Sequence, residues 1–383
     1  MQKGFKFRIY PNKEQSVFLA KHFGCSRYIY NYALDQKIKT YEKTGKSISC
    51  FDIIKQLPEL KEQTGWLREI NSQSLQSSVK HVETAFTKFF REKTGFPKFK
   101  SKKRNKHSFS VPQHYKVKEG KIFIPKLKSG IKLVQHRKIK GVMKTLTISQ
   151  TPSGKYYATI LVDTPENIIK PKRLIKTKTI GIDVGIKDFC TISTGEKVEN
   201  PKHLAKSEKK LKRAQQRHSK KQAGSNNKSK SRTRVARIHE KVTNQRNDFL
   251  HKLSSKIVGE NQSICVEDLG IRSMMQNKYL AKSIGSVGWG EFKRQLIYKS
   301  EWYGKNLIEI GRFEPSSQIC NHCGQQNTAL KLSDRAWTCG GCKHEHDRDI
   351  NASKNIKDFG IEKYRRNYGN LRLLDTTKVA KSE

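Results

Sequence analysis

Acidic residues are scarce in this sequence. Its 34 Asp and Glu stand against 79 Lys and Arg, which leaves a formal charge of +45 over 383 residues. A chain with so little negative charge repels itself in water and is suited to displacing the counterions condensed on a polyanion. Nucleic acid is therefore the leading candidate for its partner.

Long apolar runs are also missing. No stretch approaches the ~18 consecutive apolar residues of a membrane span, and the first 24 residues carry six charged side chains without an apolar core segment. We expect neither a signal peptide nor a membrane partner, and we predict a soluble intracellular protein. Apolar residues make up only 34% of the chain, yet 17 Phe and 13 Tyr can build several modest cores, which argues against wholesale disorder.

Half of the few cysteines are concentrated near the end of the chain. Four of the eight are scattered singly, whereas Cys320, Cys323, Cys339 and Cys342 form two CxxC pairs separated by fifteen residues. In a reducing compartment this spacing favours metal ligation over disulfides, and two such knuckles complete a tetrahedron around zinc with ~2.3 Å bonds. Because four thiolates leave no open position for water, we predict one structural Zn²⁺; iron or redox chemistry is the alternative.

Three histidines flank these cysteine pairs. His322, His344 and His346 are close enough in sequence to replace a ligand. Since four cysteines already satisfy the metal, we interpret all three histidines as surface or DNA-facing side chains.

The N-terminal part of the chain predicts a strand followed by helices. Apolar residues alternate with basic ones over residues 3–10, which is the pattern of a half-buried strand. Asn12 with Gln15 three residues later predicts a helix start, and Gly24 predicts a break before a second helix. Helical patterns continue to about residue 91.

Short strands are predicted next, between residues 108 and 163. They include a hairpin whose arms, residues 145–150 and 156–162, flank a Thr-Pro-Ser-Gly turn. We predict a small barrel that is completed by the N-terminal strand and has the helices inserted in it.

A second series of elements begins at residue 179. Two strands are followed by a basic helical hairpin over residues 202–256, which holds eighteen Lys and Arg against three acids. A strand over residues 263–268, a helix over 289–303, a strand over 307–310 and a last helix follow. This order resembles a ribonuclease-H-like layout.

Three carboxylates stand where these elements could bring them together. Asp183 lies in the first strand, Glu267 ends a later one, and Asp349 is at the start of the last helix. Two Mg²⁺ ions ~3.5–4 Å apart can hydrolyse a phosphodiester, and about three carboxylates from separate elements suffice to hold them. We predict such a site. Asp268 is a competing assignment for Glu267, and Asp347 or Asp349 could instead cap the helix.

Residues 88–106 combine basic and aromatic side chains. Nine Lys and Arg face one acid, Glu92, and are interleaved with four phenylalanines. A solvated surface is one interpretation of this segment. A groove that tracks phosphates and stacks bases is the other.

Taken together, these motifs resemble those of the TnpB proteins of bacterial and archaeal insertion sequences, which are relatives of the miniature type V CRISPR effectors. The similarity covers nearly the whole chain and is most specific in the C-terminal half. The residues that carry it are Gly181-Ile-Asp-Val-Gly185, Val266-Glu-Asp-Leu269, the stretch 289–304, Pro315-Ser-Ser317, the four cysteines, His346-Asp-Arg-Asp-Ile-Asn-Ala352, Phe96-Pro-Lys-Phe-Lys100 and the stretch 23–31.

The resemblance implies an RNA-guided DNA endonuclease of the RuvC type that cuts beside a short flanking motif. Its implied cofactors are two catalytic Mg²⁺ on Asp183, Glu267 and Asp349, one Zn²⁺ on the four cysteines, and a guide RNA transcribed from the transposon end. Its partner is double-stranded target DNA. A prokaryotic, cytoplasmic protein that joins the nucleoid when bound to DNA is expected.

The same resemblance implies a fold with α/β, all-β and all-α parts. A wedge β-barrel would comprise residues 1–10 and 108–164, with a helical recognition lobe at 11–107 inserted in it. A linker at 165–178 would lead to a RuvC-like nuclease core at 179–314 and 347–362, with a zinc ribbon inserted at 315–346 and a basic tail at 363–383.

Nucleic-acid contacts are predicted on three segments. For the flanking motif we consider the polar stretch Asn71, Gln73, Gln76, Ser77 and Lys80, because Asn and Gln can bind adenine through paired hydrogen bonds; a solvated helix face is the alternative. The full set of candidates is Gln73, Gln76, Lys80, Lys100, Lys102, Lys103, Arg104, Lys209, Lys210, Arg213 and Arg348.

Two rival functions stay open on the sequence. A DNA transposase would join DNA ends without RNA. A catalytically inactive RNA-guided regulator would bind DNA and keep the acids as relics.

Overall fold

The fold is known from a computed structural model. It describes residues 1–103, 106–167, 169–331 and 333–368. The chain divides into two compact units, Met1–Asn167 and Ile168–Glu383. Among the predicted nucleic-acid contacts, Arg104 lies outside the described residues.

The first unit contains seven strands and four α-helices among its described residues. In chain order they are β1 Gln2–Tyr10, α1 Lys13–Thr44, α2 Cys50–Lys55, α3 Leu57–Gln63, α4 Ser72–Glu92, β2 His107–Val111, β3 Lys116–Lys118, β4 Lys121–Phe123, β5 Ile131–Val134, β6 Val142–Gln150 and β7 Tyr156–Asp163. The helices share an apolar core of their own, which includes Leu34, Ile53 and Val79.

The strands of the first unit form one antiparallel sheet in the order β2-β6-β7-β1-β5-β4-β3. The predicted hairpin is confirmed as β6 and β7. Phe7 of β1, Val111 of β2 and Ile122 of β4 belong to one buried cluster, so the sheet curls around a common core. In the described part of the unit, the edge strands β2 and β3 do not pair with each other, and the predicted barrel lacks that closing ladder.

Helix α1 begins as predicted but does not break where predicted. The Asn12 side chain accepts the Gln15 N–H at 2.8 Å, and the Gln15 side chain returns a bond to the Asn12 backbone, which completes a capping box. The predicted break at Gly24 is wrong, because α1 continues through it. A glycine inside a helix costs only about 1 kcal/mol, and burial of Phe23 and Ile29 on either side outweighs that cost.

The second unit alternates strands and helices. Its elements are β8 Thr179–Val184, β9 Asp188–Ile192, β10 Lys197–Glu199, α5 His203–Ser219, α6 Asn226–Glu260, β11 Ser263–Glu267, α7 Ile271–Met274, α8 Ala281–Val287, α9 Trp289–Tyr303, β12 Asn306–Ile310, β13 Ala336–Thr338, β14 Glu345–Asp347 and α10 Arg348–Tyr368. The predicted basic hairpin is confirmed as α5 and α6.

A five-stranded sheet with the order β10-β9-β8-β11-β12 organises this unit. Strands β8, β11 and β12 are parallel, whereas β9 and β10 run antiparallel to their neighbours. One face of the sheet, with Ile182 and Val266, packs on apolar residues of α6 and α9. The opposite face, with Cys265 and Ile308, packs on Ile356 of α10.

Two glycines allow α10 to approach the sheet closely. A Cβ atom at Gly181 of β8 would lie 2.0 Å from the Ser353 carbonyl oxygen and 2.5 Å from the Lys357 nitrogen, both in α10. A Cβ atom at Gly360 of α10 would lie 2.3 Å from the Cys265 Sγ atom of β11. A side chain at either position would push the helix away from the sheet, so these glycines determine the distance between α10 and the strands.

The last helix is longer than predicted. α10 continues to Tyr368, so the basic tail does not begin at residue 363; the remainder of that predicted tail, residues 369–383, lies outside the described residues. The helix extends because Ile361 is buried and Tyr364 packs against the same apolar cluster. Across the described ranges, none of the helices has the length and apolarity needed to cross a membrane.

Candidate active site and metal centre

The sheet brings two of the predicted carboxylates to neighbouring strand ends. β8 and β11 are parallel, with Ile182 opposite Val266, so Asp183 and Glu267 follow at matching positions. Because side chains alternate along a strand, both lie on the face that carries Gly181 and packs on α10. Asp349 is in the first turn of that helix. All three predicted acids therefore meet at one edge of the sheet.

The three negative charges interact there. Burial raises the pKa of Asp183 well above its usual range, and the charges of Glu267 and Asp349 raise it further. The Arg348 guanidinium and a backbone hydrogen bond from Val184 oppose this shift. A divalent cation bound here would offset both the repulsion among the three carboxylates and the poor hydration of Asp183.

The competing acids Asp268 and Asp347 have partners of their own. Asp268, the competitor of Glu267, pairs instead with Arg312 at 2.7 Å and Lys293 at 3.6 Å. Asp347 caps α10, since its Oδ1 accepts the N–H groups of Asp349 and Ile350 at 3.2 and 3.1 Å. Its other oxygen accepts a 2.7 Å bond from Lys197. Both side chains are thus engaged by cations or backbone N–H groups.

Two further residues at this edge were missed by sequence reasoning. Ser316 donates its hydroxyl to Glu267 Oε1 at 2.6 Å, and Arg335 Nη1 lies 3.9 Å from Asp349 Oδ1. Both come from the segment between β12 and α10, and Ser316 is 49 positions from its partner in sequence. Pro315-Ser-Ser317 contributed to the resemblance without an assigned role, and no signal in the sequence distinguishes Arg335 from other arginines.

The carboxylates are not gathered as tightly as the cysteines. Among the described residues, the four cysteines are the only set of three or more acidic, His or Cys residues whose ligand atoms already surround one point. A pair of Mg²⁺ ions does not require such crowding. Mg²⁺ keeps several waters and is usually held by one or two carboxylates together with substrate phosphate.

The four-cysteine cluster has the dimensions of a tetrahedral zinc site. Its four Sγ atoms lie within 4.8 Å of one another, with Cys320 and Cys342 separated by 3.7 Å and Cys323 and Cys339 by 3.5 Å. A tetrahedron with ~2.3 Å metal–sulfur bonds has sulfur–sulfur edges of about 3.8 Å. Backbone N–H groups of Cys342 and Gly341 lower the pKa of the Cys339 thiol to about 6, which favours the thiolate form.

The interpretation of His346 as a surface or DNA-facing residue is wrong. Its side chain is buried, its Nε2 atom lies 3.0 Å from Cys320 Sγ, and its ring packs 4.7 Å from Trp337. The strand pair β13–β14 causes this burial, because it sets His346 opposite Trp337. His322 and His344 are exposed and stack on each other at 5.0 Å.

A basic cleft lies between α5 and α6. Its volume is about 780 Å³, and eight of its twelve lining residues are Lys or Arg. They include the predicted contacts Lys209, Lys210 and Arg213. The other five are Lys206, Arg217, Lys221, Lys230 and Arg234. A concave surface with this charge suits a phosphate backbone.

The polar stretch at the start of α4 is only partly available to a ligand. Asn71 is buried and caps the helix, and Ser77 is buried and donates to the Gln73 carbonyl, so neither can read a base. The Gln73 side chain contacts Gln113. Gln76 is half-buried and Lys80 is exposed.

The basic segment after α4 has both anchored and exposed cations. Lys100 is held against α1: its Nζ atom lies 3.5 Å from the centre of the Tyr30 ring and its backbone pairs with the Asn31 side chain. Burial lowers the pKa of Lys100. Lys102 and Lys103 are exposed. Phe86, Phe89, Phe90 and Phe96 form a ring cluster beside this segment, with centroids 5.0 to 6.3 Å apart.

Arg348 is the first residue of α10 and precedes Asp349. Its guanidinium acts on the Asp183 carboxylate from the start of α10. It also donates to the carbonyl oxygens of Lys331 and Asp334, at 3.4 Å each. Its assignment as a nucleic-acid contact stays a prediction.

Known protein families and individual relatives match most of the chain. Three family models match: "Probable transposase" over residues 159–278, "Cas12f1-like, TNB domain" over 289–356 and "Helix-turn-helix domain" over 1–46. A Streptomyces pristinaespiralis protein named "Putative RNA-guided DNA endonuclease" is 36% identical, over 94% of this chain and 90% of its own length. The Escherichia coli K12 protein named "Putative RNA-guided DNA endonuclease InsQ" is 31% identical, over 94% and 92%.

A more distant relative carries the family's name. "TnpB-like protein L770" of Acanthamoeba polyphaga mimivirus is 23% identical to this sequence, over 93% of this chain and 73% of its own length. The motifs of the C-terminal half and the extent of these matches lead to one assignment: the chain belongs to the TnpB family.

Proposed function

We propose that this chain is a Mg²⁺-dependent, RNA-guided DNA endonuclease of the RuvC type. The observation that carries the proposal is the meeting of Asp183, Glu267 and Asp349 at one sheet edge, where burial and then the charges of Glu267 and Asp349 raise the pKa of Asp183. The order of parallel and antiparallel strands, with α10 on the carboxylate face, supports a ribonuclease-H-like core. The names of the two relatives at 36% and 31% identity support the activity.

The three carboxylates are the residues that would hold Mg²⁺. A bound pair of Mg²⁺ ions makes a water molecule nucleophilic and neutralises the leaving oxygen of a phosphodiester. Arg335, 3.9 Å from Asp349, adds a positive charge at the same edge that suits a substrate phosphate. In-line hydrolysis at this site leaves 5′-phosphate and 3′-hydroxyl ends.

The partners are a guide RNA from the transposon end and double-stranded target DNA. Base pairing between them supplies sequence recognition, so the protein mainly needs positive charge for the two backbones. The cleft of α5 and α6 meets that need. In the first unit, we assign the sheet to the wedge and the helices to the recognition lobe. The segment 315–346 serves as a zinc ribbon holding one structural Zn²⁺.

The test compares the cleavage rates of two variants of the RNA-bound protein, each of which lacks one of two neighbouring carboxylates. Glu267→Gln is expected to lower the cleavage rate at least 10³-fold while the bound RNA is retained, because a ligand of the ions is lost. Asp268→Asn is the matched control: it removes an acid one residue away that pairs with Arg312 instead, and it should stay within a few-fold of the parent.

The rival functions give other results in the same assay. Joining of DNA ends by RNA-free protein would support a transposase. Equal silencing of a target by the parent and by Asp183→Ala, with no cutting by either, would support a binding-only regulator. Unchanged cleavage by Glu267→Gln would overturn the proposed site.

A further inference from the structure

We propose that Ser316 positions the Glu267 carboxylate, and that buried asparagines of α10 couple this position to the four-cysteine cluster. The inference rests on the proposed function, because it takes Glu267 as a ligand of a divalent ion. Ser316 and the asparagines are positioning residues, since they act through Glu267 and Asp349 and contact neither metal nor substrate in the proposal.

The first link joins Ser316 to Glu267. The Ser316 hydroxyl donates to Glu267 Oε1 at 2.6 Å, and the serine is only 7% exposed. A glutamate at a strand end has three rotatable side-chain bonds. The hydrogen bond fixes one oxygen and leaves the other available to an ion.

The second link joins Ser316 to α10. Asn355 Nδ2 donates to the Ser316 carbonyl at 2.7 Å and to the Ile319 carbonyl at 2.6 Å, and Asn351 Nδ2 donates to the same Ile319 carbonyl at 2.7 Å. The two asparagines are 3% and 2% exposed, respectively. Breaking one of these bonds would leave a buried amide unpaired, which makes the arrangement rigid.

The third link joins α10 to the first cysteine knuckle. Asn321, which follows Cys320, donates its backbone N–H to Asn351 Oδ1 at 3.0 Å. Its side-chain Nδ2 donates to Asn355 Oδ1 at 3.0 Å. The knuckle is therefore held by the same two asparagines that hold the Ser316 backbone.

This path of hydrogen bonds connects to two of the proposed Mg²⁺ ligands. Asn351 is two residues from Asp349 in the same helix, and Ser316 touches Glu267. An ordered knuckle thus fixes the distance between two acids from separate elements. Hydrogen-bond partners of metal ligands typically contribute 10–100-fold to metal affinity, and we expect the same range for Ser316.

The experiment measures the affinity of the full chain for Mn²⁺ by electron paramagnetic resonance. Mn²⁺ replaces Mg²⁺ as the probe, and no DNA is present. Ser316→Ala is expected to weaken Mn²⁺ binding 10–100-fold, and Ser316→Thr, which keeps a hydroxyl, to recover most of it. Ser317→Ala is the matched control and should stay within two-fold. In cleavage assays, saturating Mg²⁺ should return the Ser316→Ala rate towards the parent value.

A second arm tests the coupling to the cysteines. Cys323→Ser is expected to lose stoichiometric zinc, measured by atomic emission, and to lose Mn²⁺ affinity in parallel. Cys50→Ser, a cysteine outside the cluster, should change neither. Circular dichroism reports whether the remainder of the chain stays folded. If the Cys323→Ser chain unfolds as a whole, Asn355→Ala replaces it, and its effect on Mn²⁺ affinity should not add to that of Ser316→Ala.

The outcomes separate this inference from the proposed function. Parent-like Mn²⁺ affinity in Ser316→Ala, with weakened binding in Glu267→Gln, would overturn the positioning role and leave the nuclease proposal standing. Parent-like affinity in Glu267→Gln would instead remove the ion site itself. Loss of zinc without any change in Mn²⁺ affinity, or additive effects of Asn355→Ala and Ser316→Ala, would overturn the coupling.

Discussion

Gly181 of strand β8 lies against Ser353 of helix α10 so closely that a Cβ atom on the glycine would stand 2.0 Å from the serine carbonyl oxygen. The obstacle is backbone, so rotating a side chain cannot relieve it. The contact sets the distance between the strand that carries Asp183 and the helix that carries Asp349.

Gly181→Ala is therefore expected to destabilise the second unit and to lower cleavage. Overpacking of this kind costs about 1–3 kcal/mol and shifts the backbone. The measurement is chemical denaturation together with cleavage rate. Gly259→Ala near the end of α6 is the control, because a Cβ atom there meets nothing within 4 Å; it should stabilise the protein by up to about 1 kcal/mol. Equal stability of the Gly181→Ala and parent proteins would contradict the packing argument.

Asp183→Asn is expected to raise the melting temperature of the protein in EDTA. In the absence of divalent ions, Asp183 is crowded by the charges of Glu267 and Asp349, and the substitution removes that repulsion. Each 1 kcal/mol gained raises Tm by about 2–4 °C in a unit of this size. Mg²⁺ should then stabilise the parent more than the variant.

The control for this melting experiment is Asp248→Asn, which removes an exposed acid that pairs with Lys252 on α6. Its Tm should respond to Mg²⁺ as the parent does. A lower Tm for Asp183→Asn in EDTA, or equal Mg²⁺ effects on variant and parent, would argue that the carboxylates do not share an ion site.

The double substitution Lys209→Ala and Arg213→Ala is expected to weaken RNA binding and flatten its salt dependence. Both residues line the cleft of α5 and α6. Each lost phosphate contact lowers the slope of log affinity against log salt by about 0.7–0.9. Fluorescence anisotropy over a salt series would measure a total decrease of about 1–2.

Lys241→Ala with Lys252→Ala serves as the matched pair, because these lysines are exposed on α6 and do not line the cleft. The two pairs remove equal charge. If both reduce the slope equally, net charge rather than the cleft determines RNA binding.

The stability of the first unit is expected to fall between pH 6.5 and about 4. His22 is buried between Phe18 and Phe109, and this burial lowers its pKa to about 4. Above pH 6.5 the histidine is neutral in both states, so its contribution is complete. As the pH falls, the unfolded chain takes up the proton first, which costs the fold up to about 3 kcal/mol.

His22→Phe should remove this part of the pH dependence, measured by denaturation at a series of pH values. His114→Asn, at an exposed position with positive φ that Asn tolerates, should leave it unchanged. A pH profile of His22→Phe identical to that of the parent would contradict the assignment.

Local signals in the sequence predicted several elements of the fold and singled out the three acids that the structure brings together. The capping box at Asn12, the spacing of the CxxC pairs and the acids at strand ends each depend on residues close in sequence. Period-two alternation along β8 and β11 sets the side chains of Asp183 and Glu267 on one face of the sheet, because it is a property of the strand itself.

The errors and omissions depend on tertiary contacts rather than on local sequence patterns. Gly24 lies within a helix because tertiary packing outweighs its low propensity. His346 is buried because β13 sets Trp337 opposite it. Ser316 and Arg335 meet their carboxylates only when the segment between β12 and α10 has folded onto the sheet, and no local sequence pattern predicts these contacts.

Asp349 lies near the end of the chain and is therefore synthesised late. Asp183 and Asp349 are 166 positions apart, and α10, which covers the sheet, is made last among the described elements. A ribosome that stops between Cys320 and Cys342 releases a polypeptide that contains Asp183 and Glu267 but lacks α10, so one face of the sheet is uncovered. Such a fragment lacks Asp349 and the helix that carries it. Under the proposed function, an unfinished product is therefore expected not to cut the DNA of the cell that makes it.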